Sequence, residues 1–221
     1  MRAVFSEKQQ EQFISKLSRL WKDQQDQMRI AQAIQELNIR YNLYGKMARE
    51  SGVEDIIEQL LERLSNSYPS LNDIQNKRIL DIACGSNTSK APASYYFGAP
   101  FSKRAAERTS TGYTAMFEPW FCRILLELGA TPVGVDLGDL KKELFIHYLV
   151  DLGKPGALNF LPDHSFDAIQ DSRLFGSPEF TARFPHQADR LIVAQELLRQ
   201  EQRLLKLDGI IIHSDARALW R

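Results

Sequence analysis

Arg78-Ile-Leu-Asp-Ile-Ala-Cys-Gly85 is an apolar run that carries a single carboxylate, Asp81, and closes on small residues. A short apolar run ending in a glycine turn reads as a buried strand. A carboxylate inside such a strand is costly unless it receives hydrogen bonds. Asp81 is therefore expected to bind the turn that follows it or the polar groups of a ligand. Small residues at Ala83 and Gly85 leave room for a ligand to approach the main chain.

Downstream of this run, short apolar stretches alternate with helical ones, which is the pattern of a parallel sheet covered by helices on both faces. Five strands are expected, at Arg78–Ala83, Pro132–Asp136, Ile146–Asp151, Ala168–Asp171 and Gly209–His213. Helices are expected over Phe117–Leu128, stopped by Gly129, and over Ala188–Leu205. The fold class is α/β, a doubly wound and mainly parallel sheet in the order 3-2-1-4-5. Polar residues fall at the carboxyl ends of the strands: Asp136, Asp151, Asp171 with Ser172, and His213 with Ser214. Open α/β sheets bind ligands at that edge. Asp136 closes Pro-Val-Gly-Val-Asp, and a carboxylate there offers two oxygens that match the vicinal hydroxyls of a ribose. The stretch Asn87–Tyr113 has no clean period and holds Pro92, Gly98, Pro100 and Gly112. A connection of that length reads as functional or disordered; Tyr95, Tyr96 and Phe97 favour order, and it is expected to lie over the ligand as a lid, with Tyr95, Tyr96, Tyr113 and Trp120 as candidate pocket aromatics and core packing as the stronger role for Trp120.

Upstream, residues 1–70 read as a helical arm or cap on a domain spanning 71–221. Phe13, Ile14, Leu17, Leu20 and Trp21 recur at helical spacing, with Ser6 as a cap. The polar run Lys22–Gln27 interrupts the stripe before Met28, Ala31, Ile34 and Leu37 resume it, so one long helix and two shorter ones are both open. Ile56, Ile57, Leu60, Leu61 and Leu64 mark another apolar face, ending near Tyr68-Pro69.

The chain has 221 residues with 28 basic and 28 acidic side chains, so no global field draws it to a phosphate backbone. Nucleic acid is not indicated as a partner. No apolar run approaches the roughly 18 residues of a membrane span, and the polar N-terminus has no signal-peptide core; a cytoplasmic location is expected. Cys84 and Cys122 lack zinc-site spacing and read as buried thiols. No metal is expected.

The motifs together resemble the class I methyltransferases, S-adenosylmethionine-dependent enzymes with a Rossmann-like fold. Arg78 to Ser86 is similar to the family's first motif, Val-Gly-Val-Asp136 to its ribose-binding acidic motif, and Ser165-Phe-Asp-Ala-Ile-Gln-Asp171 to its fourth strand. Leu204-Leu-Lys-Leu-Asp-Gly-Ile-Ile-Ile212 resembles the turn and fifth strand. The resemblance implies S-adenosylmethionine as cofactor. Asp81, Ala83, Cys84, Gly85, Ser86 and Asn87 would meet its amino-acid part, and Asp136 with Leu137 its ribose. Asp151 and Leu152 would flank its adenine, and Asp171 and Ser172 its methyl group. Three departures stand out. Ala83 and Asn87 replace glycines, the Asp81–Asp136 gap far exceeds the usual roughly 20 residues, and the chain stops before the family's last two strands. An uncovered fifth strand would call for the arm, a second copy or a partner protein at that edge.

The expected activity is methyl transfer to a small-molecule acceptor, with Asp171 or His213 as base for an oxygen acceptor. The bland roles are a turn cap for Asp171 and Ser172 and a structural one for His213. A catalytically inactive relative serving as a cofactor-binding or regulatory subunit is the alternative. A nicotinamide dehydrogenase ranks last, because Gly85-Ser-Asn lacks the Gly-x-Gly-x-x-Gly turn.

Overall fold

The computed structural model describes residues 5–87, 115–138, 140–172, 174–175 and 178–219. Most of the segment expected to form a lid, with Tyr95, Tyr96 and Tyr113, lies outside the described residues.

The arm is four helices. Helix α1 (Glu7–Ser18) begins with a reciprocal cap in which Ser6 Oγ accepts from Gln9 N–H and Gln9 Oε1 accepts from Ser6 N–H. The stripe divides into two helices, with the break over residues 19–23, and Gln24 to Gln27 of the polar run form the first turn of the second. Asp23 caps α2 (Gln24–Tyr41) by accepting from the N–H groups of Gln25 and Asp26 at 2.8 and 3.1 Å. Asn42 ends α2 in the left-handed region, with φ 53°, and starts the short α3 (Leu43–Met47). Helix α4 (Ser51–Ser67) buries Val53, Ile56, Ile57, Leu60, Leu61 and Leu64 along one face. Buried Asp26 fastens α2 to the segment that leads from the arm into the sheet, accepting from Leu71 N–H at 3.0 Å.

Five parallel strands form that sheet: β1 (Arg78–Ile82), β2 (Thr131–Asp136), β3 (Ile146–Leu149), β4 (Phe166–Asp171) and β5 (Leu205–Ser214). Their order is β3-β2-β1-β4-β5, the doubly wound arrangement expected. Helix α5 (Trp120–Glu127) precedes β2, while α6 (Pro178–Arg183) and α7 (Gln187–Leu204) precede β5. Helix α5 starts later than Phe117 because Ala115–Phe117 is a 3-10 turn and Pro119 stands before the first helical residue. Strand β5 is twice as long as its apolar core suggests, since α7 runs straight into it at Leu204–Leu205 and the ladder with β4 absorbs two register shifts. A short α8 (Asp215–Ala218) ends the described chain.

The sheet has one hydrophobic cluster on each face. The first joins the arm, through Trp21, Leu37, Leu43 and Leu61, to Trp120 and Leu125 of α5 and to Ile79 and Ala168 of the sheet, with Ile210 and Ile212 packed against it. The second joins Leu80, Ile82, Val133 and Ile169 to Ala194, Leu197 and Leu204 of α7. The arm was one candidate cover for the free edge of β5, yet here it covers a sheet face. Alternation along β5 turns Ile210 and Ile212 to that side, and the broad stripe of α4 needs an apolar face rather than a line of backbone groups.

Candidate functional site

The parallel order brings the carboxyl ends of β1, β2 and β4 to one edge, and two separate groups of predicted residues gather there. The first is built on the turn after β1. Ala83 adopts φ 60° and Gly85 φ 99°, a pair of left-handed residues that reverses the chain sharply after the strand. Asp136 braces this turn: its Oδ2 accepts from Gly85 N–H at 2.9 Å and its Oδ1 from Gly138 N–H at 2.7 Å. Burial pushes the Asp136 carboxyl above its ordinary value, against the two N–H bonds that favour its charged form. The other turn donors are also engaged within the chain. Cys84 N–H bonds Val135 O at 3.1 Å, and Ser86 N–H bonds Phe117 O at 2.9 Å.

Asn87, standing where the resemblance has glycine, ties the turn to the β2–β3 connection. Its Nδ2 donates to Lys141 O at 2.8 Å and to Glu143 Oε1 at 2.7 Å, and its Oδ1 accepts from Lys141 N–H at 2.9 Å. Leu137 stands exposed beside Asp136.

Asp81 does not bind the turn after its own strand. It is buried, receives Cys122 Sγ at 3.5 Å and the Gln170 side chain, and lies near the charge of Arg63. Burial raises its carboxyl to about 8, with Asp136 adding to the rise, so Asp81 is protonated at neutral pH. Cys84 and Cys122 hydrogen-bond one another as buried thiols, both held above their ordinary values by burial, which makes them poor nucleophiles.

The second group closes β4 and β5. Asp171 accepts from Ser214 Oγ at 2.7 Å, from Asp215 N–H and from Ala216 N–H at 3.3 Å, so it caps α8. Glu201 of α7 lies against it, with Ser214 Oγ at 3.3 Å from Glu201 Oε1. Burial, then Asp171 beside it, lifts Glu201 to about 9, which favours its protonated form at neutral pH. His213 Nε2 lies 2.8 Å from Asp215 Oδ1. Ser172 is buried against Gln170. The expected bases, Asp171 and His213, thus hold structural bonds.

Asp151 and Leu152 stand apart from both groups. Asp151 accepts from Gly153 N–H at 3.1 Å and pairs with Arg183 of α6, while Leu152 packs on the second cluster.

Several residues that sequence reasoning missed complete the site. Arg63 of α4 acts on Asp215, Asp171 and Asp81, and its Nη1 finds no hydrogen-bond partner among the described residues; the same holds for Gln170 Oε1 and Glu201 Oε2. A buried chain of charges runs from the arm to the turn. Lys46 pairs with Glu118 at 2.6 Å, Glu118 with Arg123, Arg123 with Glu143 at 2.6 Å, and Glu143 with Asn87. Arg123 also lies over the rings of Tyr41 and Trp120, at 3.9 and 4.7 Å. The signals existed: Glu201 stands on the apolar stripe Ala194, Leu197, Leu204, and Arg123 interrupts Trp-Phe-Cys-Arg-Ile-Leu-Leu.

The two ends of an S-adenosylmethionine molecule fare differently against these residues. At the ribose end the Asp136 oxygens accept main-chain N–H groups of Gly85, Gly138 and Leu137, and a carboxylate with about four lone-pair sites keeps capacity that a ribose hydroxyl could use. At the amino-acid end the fit is poor, because the space above Gly85 is filled. A Cβ added there would stand 2.1 Å from Phe117 O, so main chain occupies the approach that the glycine opens. No metal-holding group of three or more His, Cys, Asp or Glu occurs among the described residues, and none of their helices is long and apolar enough to cross a membrane. No protein-family model matches the chain, and no similar curated protein or solved structure was found.

Proposed function

We propose that the protein binds S-adenosylmethionine at the carboxyl edge of its sheet and transfers the methyl group to a small-molecule acceptor. The observation that carries this reading is Asp136, held by main-chain N–H groups on both sides at the end of β2, beside the tight turn after β1. Bound there, the cofactor supplies an electrophilic methyl on a sulfonium. In this reading Asp136 accepts the ribose hydroxyls, Asp81 holds Cys122 of α5 and Gln170 of β4 together beneath the site, and Leu137 offers an apolar face to the nucleoside. Asp171 and His213 remain the bases nearest the β4–β5 edge; Asp171 already accepts three hydrogen bonds, while Asp215 holds His213 through Nε2 and leaves Nδ1 as its proton acceptor.

Those engaged bases, together with the filled space over Gly85, favour a second reading: a relative that binds a nucleoside-type ligand without turnover and serves a partner. Calorimetric titration separates the two. Heat from S-adenosylmethionine, weakened about tenfold or more in Asp136→Asn with its circular dichroism unchanged, supports the first. Heat from adenosine but none from the full cofactor supports the second. Silence with both ligands at millimolar concentration ends the cofactor reading.

A further inference from the structure

One edge of the sheet carries a run of exposed large apolar side chains. Strands in parallel sheets are normally covered on both faces, and β1, β2 and β4 are almost wholly buried. Strand β3 is not. Ile146 and Leu149 are 47% and 64% exposed, Tyr148 is exposed and meets the exposed Phe160 ring edge-on at 4.9 Å, and Leu144 just before the strand is 65% exposed. The strand pairs with β2 on one side, and as the last in the order it has no ladder on its outer side among the described residues. An uncovered apolar edge of this kind is a template for another strand. Charge states what that strand is. Lys141 and Lys142 stand exposed before β3 and Lys154 after it. Among the described residues beside the strand, Glu143 is engaged by Arg123, and Asp151 stands between Arg183 and Lys154, the latter at 3.8 Å, one carboxylate against two cations. The ridge is therefore apolar in the middle and cationic at both ends.

We infer that β3 is a docking edge for an extended apolar segment of another protein with acidic residues at its ends, added as a sixth strand. A second copy of this chain fits worse. Two-fold antiparallel pairing of β3 with itself sets Lys141 and Lys142 beside Lys154 of the copy, and like charges facing each other destabilise a strand pair. Acidic flanks meet cations in either strand direction.

The inference does not depend on the cofactor, and it is tested on the full chain with a displayed library of random peptides about nine residues long, a typical strand length. Enrichment of alternating apolar sequences between acidic flanks is expected. Tyr148→Lys and Leu149→Lys, both exposed sites with folding checked by circular dichroism, should each weaken the selected peptides about tenfold. Reversing Lys141, Lys142 and Lys154 to Glu should turn the selected flanks basic. Absence of enrichment, flanks without acidic bias, or binding indifferent to both β3 variants would overturn it. So would a dimer in sedimentation that Leu149→Lys dissociates, which would make the occupant a second copy.

Discussion

Gly85 carries two constraints at once, a left-handed φ of 99° and main chain of Phe117 on its open face. Gly85→Ala should therefore cost about 1–3 kcal/mol from the backbone conformation alone, with the contact to Phe117 O adding to it. The check is the urea midpoint; a change under half a kilocalorie would show that the 117–118 segment yields freely. Asp81 and Glu201 make a prediction in pH. Both are acids held above their ordinary values, from 3.8 to about 8 for Asp81 and from 4.5 to about 9 for Glu201. The folded chain keeps protons there that the unfolded chain gives up. Their contribution is full below the unfolded values and is lost as pH rises through about 8 and 9. Each such proton costs up to about 1.4 kcal/mol per pH unit within that window. Asp81→Asn with Glu201→Gln should flatten the decline between pH 6 and 9. Parallel curves for parent and variant would mean that neither carboxyl holds its proton.

The chain of charges from Lys46 to Asn87 joins four parts of the fold: α3 in the arm, α5 with the residues just before it, the connection between β2 and β3, and the turn after β1. Removing its centre leaves Glu143 buried without its cation and Glu118 with Lys46 alone, so Arg123→Met should cost about 3–5 kcal/mol. Replacing Arg123, Glu118 and Glu143 together by apolar residues of similar size should recover much of that. If the single variant loses less than a kilocalorie, water reaches the network and the clamp is not dry. This network also marks where sequence reading ran out. Strand and helix periods depend on neighbours in the chain, so β1 to β4 were legible, the sheet order followed from the doubly wound pattern, and the choice between one helix and two across Lys22–Gln27 stayed open. The start of β5 was not, because α7 passes into it without a glycine or proline. Asp136 was legible as a strand-end carboxylate, whereas its bonds to Gly85 and Gly138 depend on how two loops meet. Asp171 and His213 were legible as strand-end polar groups; their engagement by Ser214, Asp215 and Glu201 depends on α7 and α8, which no short motif encodes.

At the scale of the whole molecule, the arm has no core apart from the sheet. Its buried side chains belong to the cluster that includes Ile79, Ala168, Trp120 and Leu125. The arm is thus the layer that a doubly wound sheet needs on one face. Unfolding of the full chain should be a single transition, with arm and sheet probes coincident, because few boundaries exist at which one part keeps its core without the other. A fragment starting at Leu71 should fail to fold, since it would expose Ile79, Ala168, Ile210 and Ile212 together with the apolar side of α5. Mixing that fragment with a peptide spanning residues 5–70 should restore the far-ultraviolet signal of the intact chain, because the missing layer is then returned. If the Leu71 fragment instead unfolds cooperatively by itself, with a urea slope in proportion to its length, the sheet is an autonomous unit and the arm merely rests on it. The fluorescence of Trp21, at the arm's end of the shared cluster and bonded through Nε1 to Tyr68 O at 3.2 Å, reports the arm. Hydrogen exchange at Ile79–Ile82 reports the sheet; separate midpoints for the two would contradict the single shared layer.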